Sequence, residues 1–509
     1  MARINTNVSS LLARANLNRA NDDLTVRLQR LSTGLQINRG ADNPAGLIVS
    51  ERLRSEISGI NQAVDNSQRA SSVIATTEGA LAEVADLLNS ITALVVEAGN
   101  TGAISDEERR ANQLQIDSAI DSITRISNST SFGGLKLLNG ELDYVLSGLA
   151  SDEITQARIN GANFNGQPQV QVNVQVIASA QTANLYLSAS TGRFVSTTTI
   201  EVAGPLGVQS LEILSSTPLA EVVAAINTLT GATGVTASLI NPSDATSGMV
   251  FSSQDFGSGA YVSVQRLQGP SDGGWLRTLK LGDADQVPGT FSFSDPTTLA
   301  LLTRSNRDTG RDVDAIVNGV RANGRGLRLS LQNSTSLSMD LLLSQTTGTS
   351  NGATTSFYIT GGGALYQLGG QINTSQQSNI GVQSVAATRL GGTLINGELQ
   401  FLSSLKSGGT NDLRSKNFSD ASKILTSAAD EVSLVRGRLG AFEKNTLDTN
   451  VRSLQIAIEN LTASESRIRD ADFAAETSAL TRSQILTSAG TSVLALANSQ
   501  SQQVLQLLG

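Results

Sequence analysis

Hydrophobic side chains recur at two different periods along this chain, and the change of period divides it. At the start the spacing is helical. Ile4, Val8, Leu11 and Ala15 step by 4, 3 and 4, and after a one-residue slip Leu24, Leu28, Leu31 and Leu35 repeat the pattern. Gly34 is placed to stop this helix, and Asn43-Pro44 to start the next, with Asn43 capping and Pro44 at the first helical position. The second helix is predicted to run to about Ala98. Its seam begins with Leu53, Ile57, Ile60 and Val64 and continues through Ile74, Leu81, Leu88 and Val95 until Gly99-Asn-Thr-Gly102 breaks it. Ser105-Asp-Glu-Glu108 reads as a capping box that opens a third helix carrying Ile116, Ile120 and Ile123. Phe132-Gly-Gly and Leu138-Asn-Gly140 then close the helical part.

Between roughly 145 and 405 the period falls to two. Val170, Val172, Val174 and Val176 alternate with Gln and Asn, as on a half-buried strand, and similar runs recur at Thr198–Val202 and Leu327–Leu331. One short helix is expected over Thr217–Ile226. Helical spacing returns after about Phe418. Leu425, Ala428, Val432, Val435, Leu439 and Phe442 form one seam; Val451, Leu454, Ile458 and Leu461 continue it after a stutter near Asn445. The last helix carries Leu486, Val493, Ala497 and Val504, with Leu494, Leu505 and Leu508 broadening the stripe. The fold class expected is therefore α+β: a long helical coiled coil or bundle formed by the N- and C-terminal segments, with a β-rich central insert of one or two small domains.

An isolated amphipathic helix is marginal in water. No side chain after Arg482 is charged, so the last helix has little to keep it dissolved as a surface helix. One expectation is that both ends are poorly ordered in the single chain and fold when many copies pack together. The other is an ordinary antiparallel coiled coil within one chain, and the periodicity alone weighs the two evenly.

Composition narrows the chemistry. The 509 residues include no cysteine and no histidine, which removes imidazole bases, thiolate nucleophiles, disulfides and the usual zinc ligand sets. Lys and Arg number 36 against 44 Asp and Glu, a net charge of −8 that argues against general nucleic-acid binding. Locally, Arg3, Arg14, Arg19, Arg27, Arg30 and Arg39 against Asp22 and Asp23 leave the first 40 residues at +4. No aromatic residue interleaves with these arginines, so contacts to carboxylates on neighbouring helices account for them better than a nucleic-acid arm. The carboxylates of Asp283-Ala-Asp285 and Asp312-Val-Asp314 read as solvated loops rather than a calcium or glycosidase site. No catalytic, cofactor or metal site is expected. No uninterrupted apolar run approaches the ~18 residues of a membrane span, and the start lacks the apolar core of a cleavable signal peptide.

The terminal segments resemble bacterial flagellin. The N-terminal likeness runs through Ile4-Asn-Thr-Asn-Val8, Arg30-Leu-Ser-Thr-Gly34, Ala45-Gly-Leu47, Ser50-Glu-Arg-Leu53, Thr77-Glu-Gly-Ala-Leu81 and Leu137-Leu-Asn-Gly140. At the other end it rests on Leu439-Gly-Ala441, Glu459-Asn-Leu461, Ser466-Arg-Ile-Arg-Asp-Ala-Asp472, Ala489-Gly-Thr-Ser-Val-Leu494 and Val504-Leu505. Weaker likenesses, Thr217–Asn227 with Gly234-Val-Thr-Ala237 and Gly369-Gly-Gln-Ile-Asn373 with Asn379–Gln383, imply insert architecture only.

The resemblance implies a subunit of the motility filament, exported unfolded by the flagellar type III apparatus and polymerised at the tip. Residues 1–40 and 466–509 would form inner-tube helices, 41–145 and 406–465 the helical outer tube, and 146–405 an outward insert with a repeat at about 198–240. The apolar seam residues of the terminal and outer-tube helices would pack subunit on subunit. Implied partners are copies of the chain itself, an export chaperone, the filament cap and hook-associated proteins, with an extracellular location. Asn89-Ser-Ile-Thr-Ala-Leu94 stands where receptor-recognised members carry a basic stretch with a glutamate, a departure that counts against recognition by Toll-like receptor five. A hook–filament junction protein shares the helical ends and is the alternative. An inserted metallopeptidase would need H-E-x-x-H, and the chain has no histidine.

Overall fold

A computed structural model describes residues 6–164, 166–187, 192–269, 278–281, 302–333, 337–395 and 397–508, with backbone alone over 501–508. The chain divides into two compact units. One comprises Met1–Ser71, Gln367–Gln377 and Glu443–Gly509; the other comprises Ser72–Tyr366 and Ser378–Phe442. These limits fall within a helix, at a helical irregularity and on either side of the 367–377 loop.

In the first unit, α1 spans Val8–Thr33. Asn7 caps it, its side chain accepting from Ser10 N–H, and Gly34 ends it in the left-handed region at φ 71°. Helix α2, Pro44–Gly99, starts where Asn43 Oδ1 accepts from Gly46 N–H at 2.9 Å. In the loop before it, the backbone amides of Arg39 and Asn38 donate to the Asp42 carboxylate and hold its pKa below the ordinary value. The first half of α2 belongs to this unit and the second half to the other.

The second unit contains the rest of α2 together with α3, Asp106–Ser129. The capping box is formed in full: Ser105 Oγ accepts from Glu108 N–H, and the Glu108 carboxylate accepts from Ser105 N–H at 2.8 Å. Leu81, Val84, Leu88, Ile91 and Val95 of α2 and Ile116, Ile120 and Ile123 of α3 are fully buried. An 18-residue stretch of α2 reaches a mean hydropathy of 1.5, enough by length and composition for a membrane span. Polar residues interrupt every apolar run within it, and its apolar face, Leu81, Val84, Leu88, Ile91 and Val95, is buried in the protein's own core. After α3 the chain makes a small hairpin, Ser131–Phe132 against Leu135–Lys136, where the sequence suggested only an end to the helices.

Two large apolar cores, and a small cluster around Tyr186 and Ile240, lie in the insert. Around the first, eight antiparallel strands form one sheet, in the spatial order 144–147, 354–362, 170–178, 314–317, 320–325, 328–333, 337–343 and 154–162. Along Val170–Ala178 the valines at 172, 174 and 176 point inward while Gln171, Asn173 and Gln175 are exposed, as the alternation requires. The second core lies between a five-stranded sheet and a four-stranded sheet, with Phe194, Phe251, Ile200, Val202 and Val262 fully buried. Helix α4, Leu219–Thr228, adds Leu219, Val222 and Ile226 to it. It begins two residues later than the sequence suggested, because Pro218 is in extended backbone and the residue before a proline avoids helical geometry.

Helix α5, Phe418–Phe442, buries Ile424, Leu425, Ala428, Val432 and Leu439. Its Glu431 ties it to the eight-stranded sheet, lying 2.6 Å from Arg158 and accepting from Gly391 N–H at 2.9 Å. Gln113 of α3 donates to Leu405 O and accepts from Leu413 N–H, both at 2.8 Å, so the segment before α5 is held to α3. The stutter near Asn445 is a π-helical turn, Glu443–Leu447, whose wider winding absorbs the slipped phase. Helices α6, Asp448–Arg469, and α7, Phe473–Leu508, complete the first unit.

Asp312 is a loop brace: its carboxylate accepts from Ser258 N–H and Gly326 N–H. Asp314 is engaged by Arg321 at 2.6 and 2.9 Å. Asp283 and Asp285 lie outside the described residues, among which no carboxylate cluster is placed to hold a metal. Replacing Ser105 by Ala should destabilise the second unit by about 1 kcal/mol through loss of the cap, read as a lowered midpoint in thermal or urea unfolding.

Candidate functional site

The chain's first and last helices lie antiparallel in the first unit. Near one end, Asn7 Nδ2 donates to Ala497 O at 2.8 Å and Ser10 Oγ to Asn498 Oδ1 at 2.7 Å. Midway, α1 and α7 approach so closely that a Cβ added to Gly490 would lie 3.2 Å from Leu17 Cδ1. At the other end Leu35 bridges Asp470, and Gln36 N–H donates to Arg469 O at 2.7 Å. Small side chains make this approach possible: Ala13 and Ala497 are buried, and Gly490 has no side chain to hold the helices apart.

One ion cluster fixes the register. Arg27 Nη1 reaches both Glu476 oxygens, at 3.0 and 2.9 Å, and Arg30 Nη1 reaches Oε1 at 3.1 Å. Glu476 is buried, which opposes its charge, but the hydrogen bonds from Arg27 and Arg30 outweigh burial and hold its pKa below the ordinary 4.5. These contacts account for two of the arginines concentrated in the first 40 residues. Glu476 itself was not singled out in the sequence. Its signal was there: it is the one acidic residue in the first turn of α7, and α1 carries an excess of arginine. Nearby, Arg469 Nη1 contacts Glu51 at 2.9 Å and joins α6 to α2.

The seam residues fall into three groups. Val8, Leu11, Leu28, Leu486 and Val493 are exposed, Val8 by 62%. Leu24, Leu31, Leu35, Leu53, Ile57, Val64, Leu454, Ile458, Leu461 and Leu494 are half-buried. Ile60 and Ala497, by contrast, are buried within their own chain. Ala497 is buried where Asn7 bonds its carbonyl. Ile60 lies beside the Gly370 backbone, and a Cβ on that glycine would sit 3.4 Å from Ile60 Cγ1. Ile4 lies outside the described residues, as do the side chains of Val504, Leu505 and Leu508.

Several exposed apolar residues were missed: Leu12, Ile48, Val49, Ile456, Phe473, Ile485 and Leu496. Leu12, Ile485 and Leu496 are one position off the chosen 3–4 stripe, and only the place of the neighbouring helix shows which flank is left open.

Glu476→Gln should cost the helix pair about 1–3 kcal/mol at neutral pH, since the negative charge behind all three bonds is lost and one acceptor oxygen becomes a donor. Because the folded pKa is depressed, this stabilisation is complete above pH 4.5 and lost as pH falls through the lower folded value. Protection factors for amide exchange in α1, taken relative to the intrinsic rate at each pH, should therefore fall between pH 7 and pH 3 in the parent chain, and fall less in the variant.

The profile of the bacterial flagellin N-terminal helical region matches residues 4–143. That of the C-terminal helical region matches residues 422–508. Flagellin of Salmonella rubislaw is 29% identical over 99% of both chains. The B-type flagellin of Pseudomonas aeruginosa is 28% identical, again over 99% of both. Among solved structures, the flagellar junction protein FlgL from Legionella pneumophila covers 83% of this chain and 99% of its own at 11% identity and a TM-score of 0.28, a likeness too slight to bear on fold or function. Both helical ends are thus matched in order, and curated relatives align along the whole chain: it belongs to the bacterial flagellins, as a structural subunit of the flagellar filament.

Proposed function

We propose that the chain polymerises with copies of itself through the open faces of α1 and α7, after export in an unfolded state and delivery to the filament tip. The observation that carries this reading is the sorting of side chains in the helix pair. Small residues pack inward, while Val8, Leu11, Leu12, Ile485, Leu486, Val493 and Leu496 are left in water. A contiguous apolar face of this kind is costly for a lone chain and marks an interaction surface. In a polymer, sister subunits cover it.

On this reading the terminal helices line the inner tube, residues 41–145 and 406–465 form the surrounding wall, and 146–405 points outward. The half-buried seam residues complete the subunit contacts, and the ends gain most of their order on assembly. The absence of charge after Arg482 gives α7 a Ser, Thr, Asn and Gln face that would not hold a chain passing along the bore. Export chaperone, filament cap and hook-associated proteins are the further partners expected from the family, and the finished polymer is extracellular. Asn89, Ser90 and Ala93 are exposed on α2 without a charged group among them, which favours weak engagement of Toll-like receptor five.

Electron microscopy of the purified protein, with and without filament seeds, tests the reading: long filaments are expected from this chain alone. Leu486→Ser with Val493→Ser should raise the critical concentration at least tenfold, since two apolar side chains would no longer be buried on assembly. Ser499→Glu should impair filament growth or secretion. Normal assembly by the double variant would sink the proposed role of α7.

A further inference from the structure

We infer that Ile372 is a preformed hydrophobic knob that docks into a second copy of this chain when the filament forms. The inference rests on the polymerisation reading above and names a contact within it. Ile372 is 90% exposed, more than any other large apolar side chain among the described residues. Single exposed apolar residues are ordinary, so exposure alone decides nothing. What sets this one apart is the rigidity of its mount.

Residues 367–377 belong to the compact unit that also holds the terminal helices. The loop is braced from within. Gln367 Nε2 donates to Gly369 O at 2.8 Å and Gln371 O at 2.7 Å, and Gln371 N–H donates to Gln376 Oε1 at 2.7 Å. Asn373 Oδ1 accepts from Gln376 N–H at 3.0 Å. It is also pinned from outside, on two helices. Asn450 of α6 donates to Leu368 O at 2.7 Å, and Asn66 of α2 donates to Gln367 O at 3.4 Å. Gly59 of α2 lets the loop backbone come so close that a Cβ there would lie 2.9 Å from Gly370 O. A side chain held out on such a support loses little conformational freedom when it is covered.

Charge favours another copy as the occupant. Every chain carries a net charge of −8, yet residues 367–377 contain no charged group, so two copies can meet there without local repulsion. The knob and the apolar faces of α1 and α7 belong to the same compact unit, the one proposed above to meet sister subunits.

The chain has no cysteine, so Ile372→Cys in the full-length protein gives a single thiol for a polarity-sensitive fluorophore. With the labelled chain as a minor fraction among unlabelled ones, its emission should shift to the blue on polymerisation; a solvent-like spectrum in the finished filament overturns the inference. As an independent measure, Ile372→Asp should leave the monomer's melting curve unchanged, because the residue has no packing to lose. It should raise the critical concentration by roughly tenfold or more. An unchanged critical concentration overturns the knob while leaving polymerisation intact. Failure of the unsubstituted chain to polymerise, even when seeded, overturns both.

Discussion

Close contact between the first and last helices depends on side chains small enough to allow it, and the rest of the first unit follows from that choice. Ala13, Ala497 and Gly490 let α1 and α7 approach, so the pair gains its contact from backbone proximity and a few polar bonds rather than from a leucine seam. Many of the leucines and valines, among them Val8, Leu11, Leu486 and Val493, are then left on the open side. Direction comes from Arg27, Arg30 and Glu476: a slide by one helical turn would separate the guanidinium groups from a buried carboxylate, which is far more costly than shifting apolar contacts. Packing thus leaves the sides free while electrostatics fixes the register.

The second unit is organised differently. Its helices bury large aliphatic side chains almost completely, and its two β cores close around Phe194, Phe251 and Phe357. These three, the fully buried phenylalanines among the described residues, all lie in the insert. The insert is a conventionally packed body, whereas the terminal helices leave their larger apolar groups half-buried or exposed. That contrast suits a chain whose ends serve an assembly and whose middle serves itself.

Much of this was legible from residue order because local chemistry decides it. Gly34 and Ser105 act through their own turn, so the end of α1 and the start of α3 could be read directly. The valine alternation gave the inward face of Val170–Ala178 for the same reason. The stutter showed that helical phase is lost near Asn445, but not that a π turn absorbs it. Helical spacing identifies an apolar stripe without saying which partner covers it. Leu486 and Ala497 belong to one stripe in the sequence, yet the first is exposed and the second buried, because α1 covers only one edge of α7. Ile372 was invisible by this route, since a lone isoleucine among Gln, Gly and Asn has no period.

The pairing of α1 with α7 is also uneven along its length. Its inner end has the backbone bridge at Leu35 and Asp470 and the charged cluster around Glu476, while toward Asn7 only neutral hydrogen bonds remain. Such a pair behaves as a zip sewn shut at one end. It closes from the residues beside α2 and α6 outward and frays from the tips, so a newly arrived subunit could keep its extremities loose until neighbours hold them, with its register already chosen.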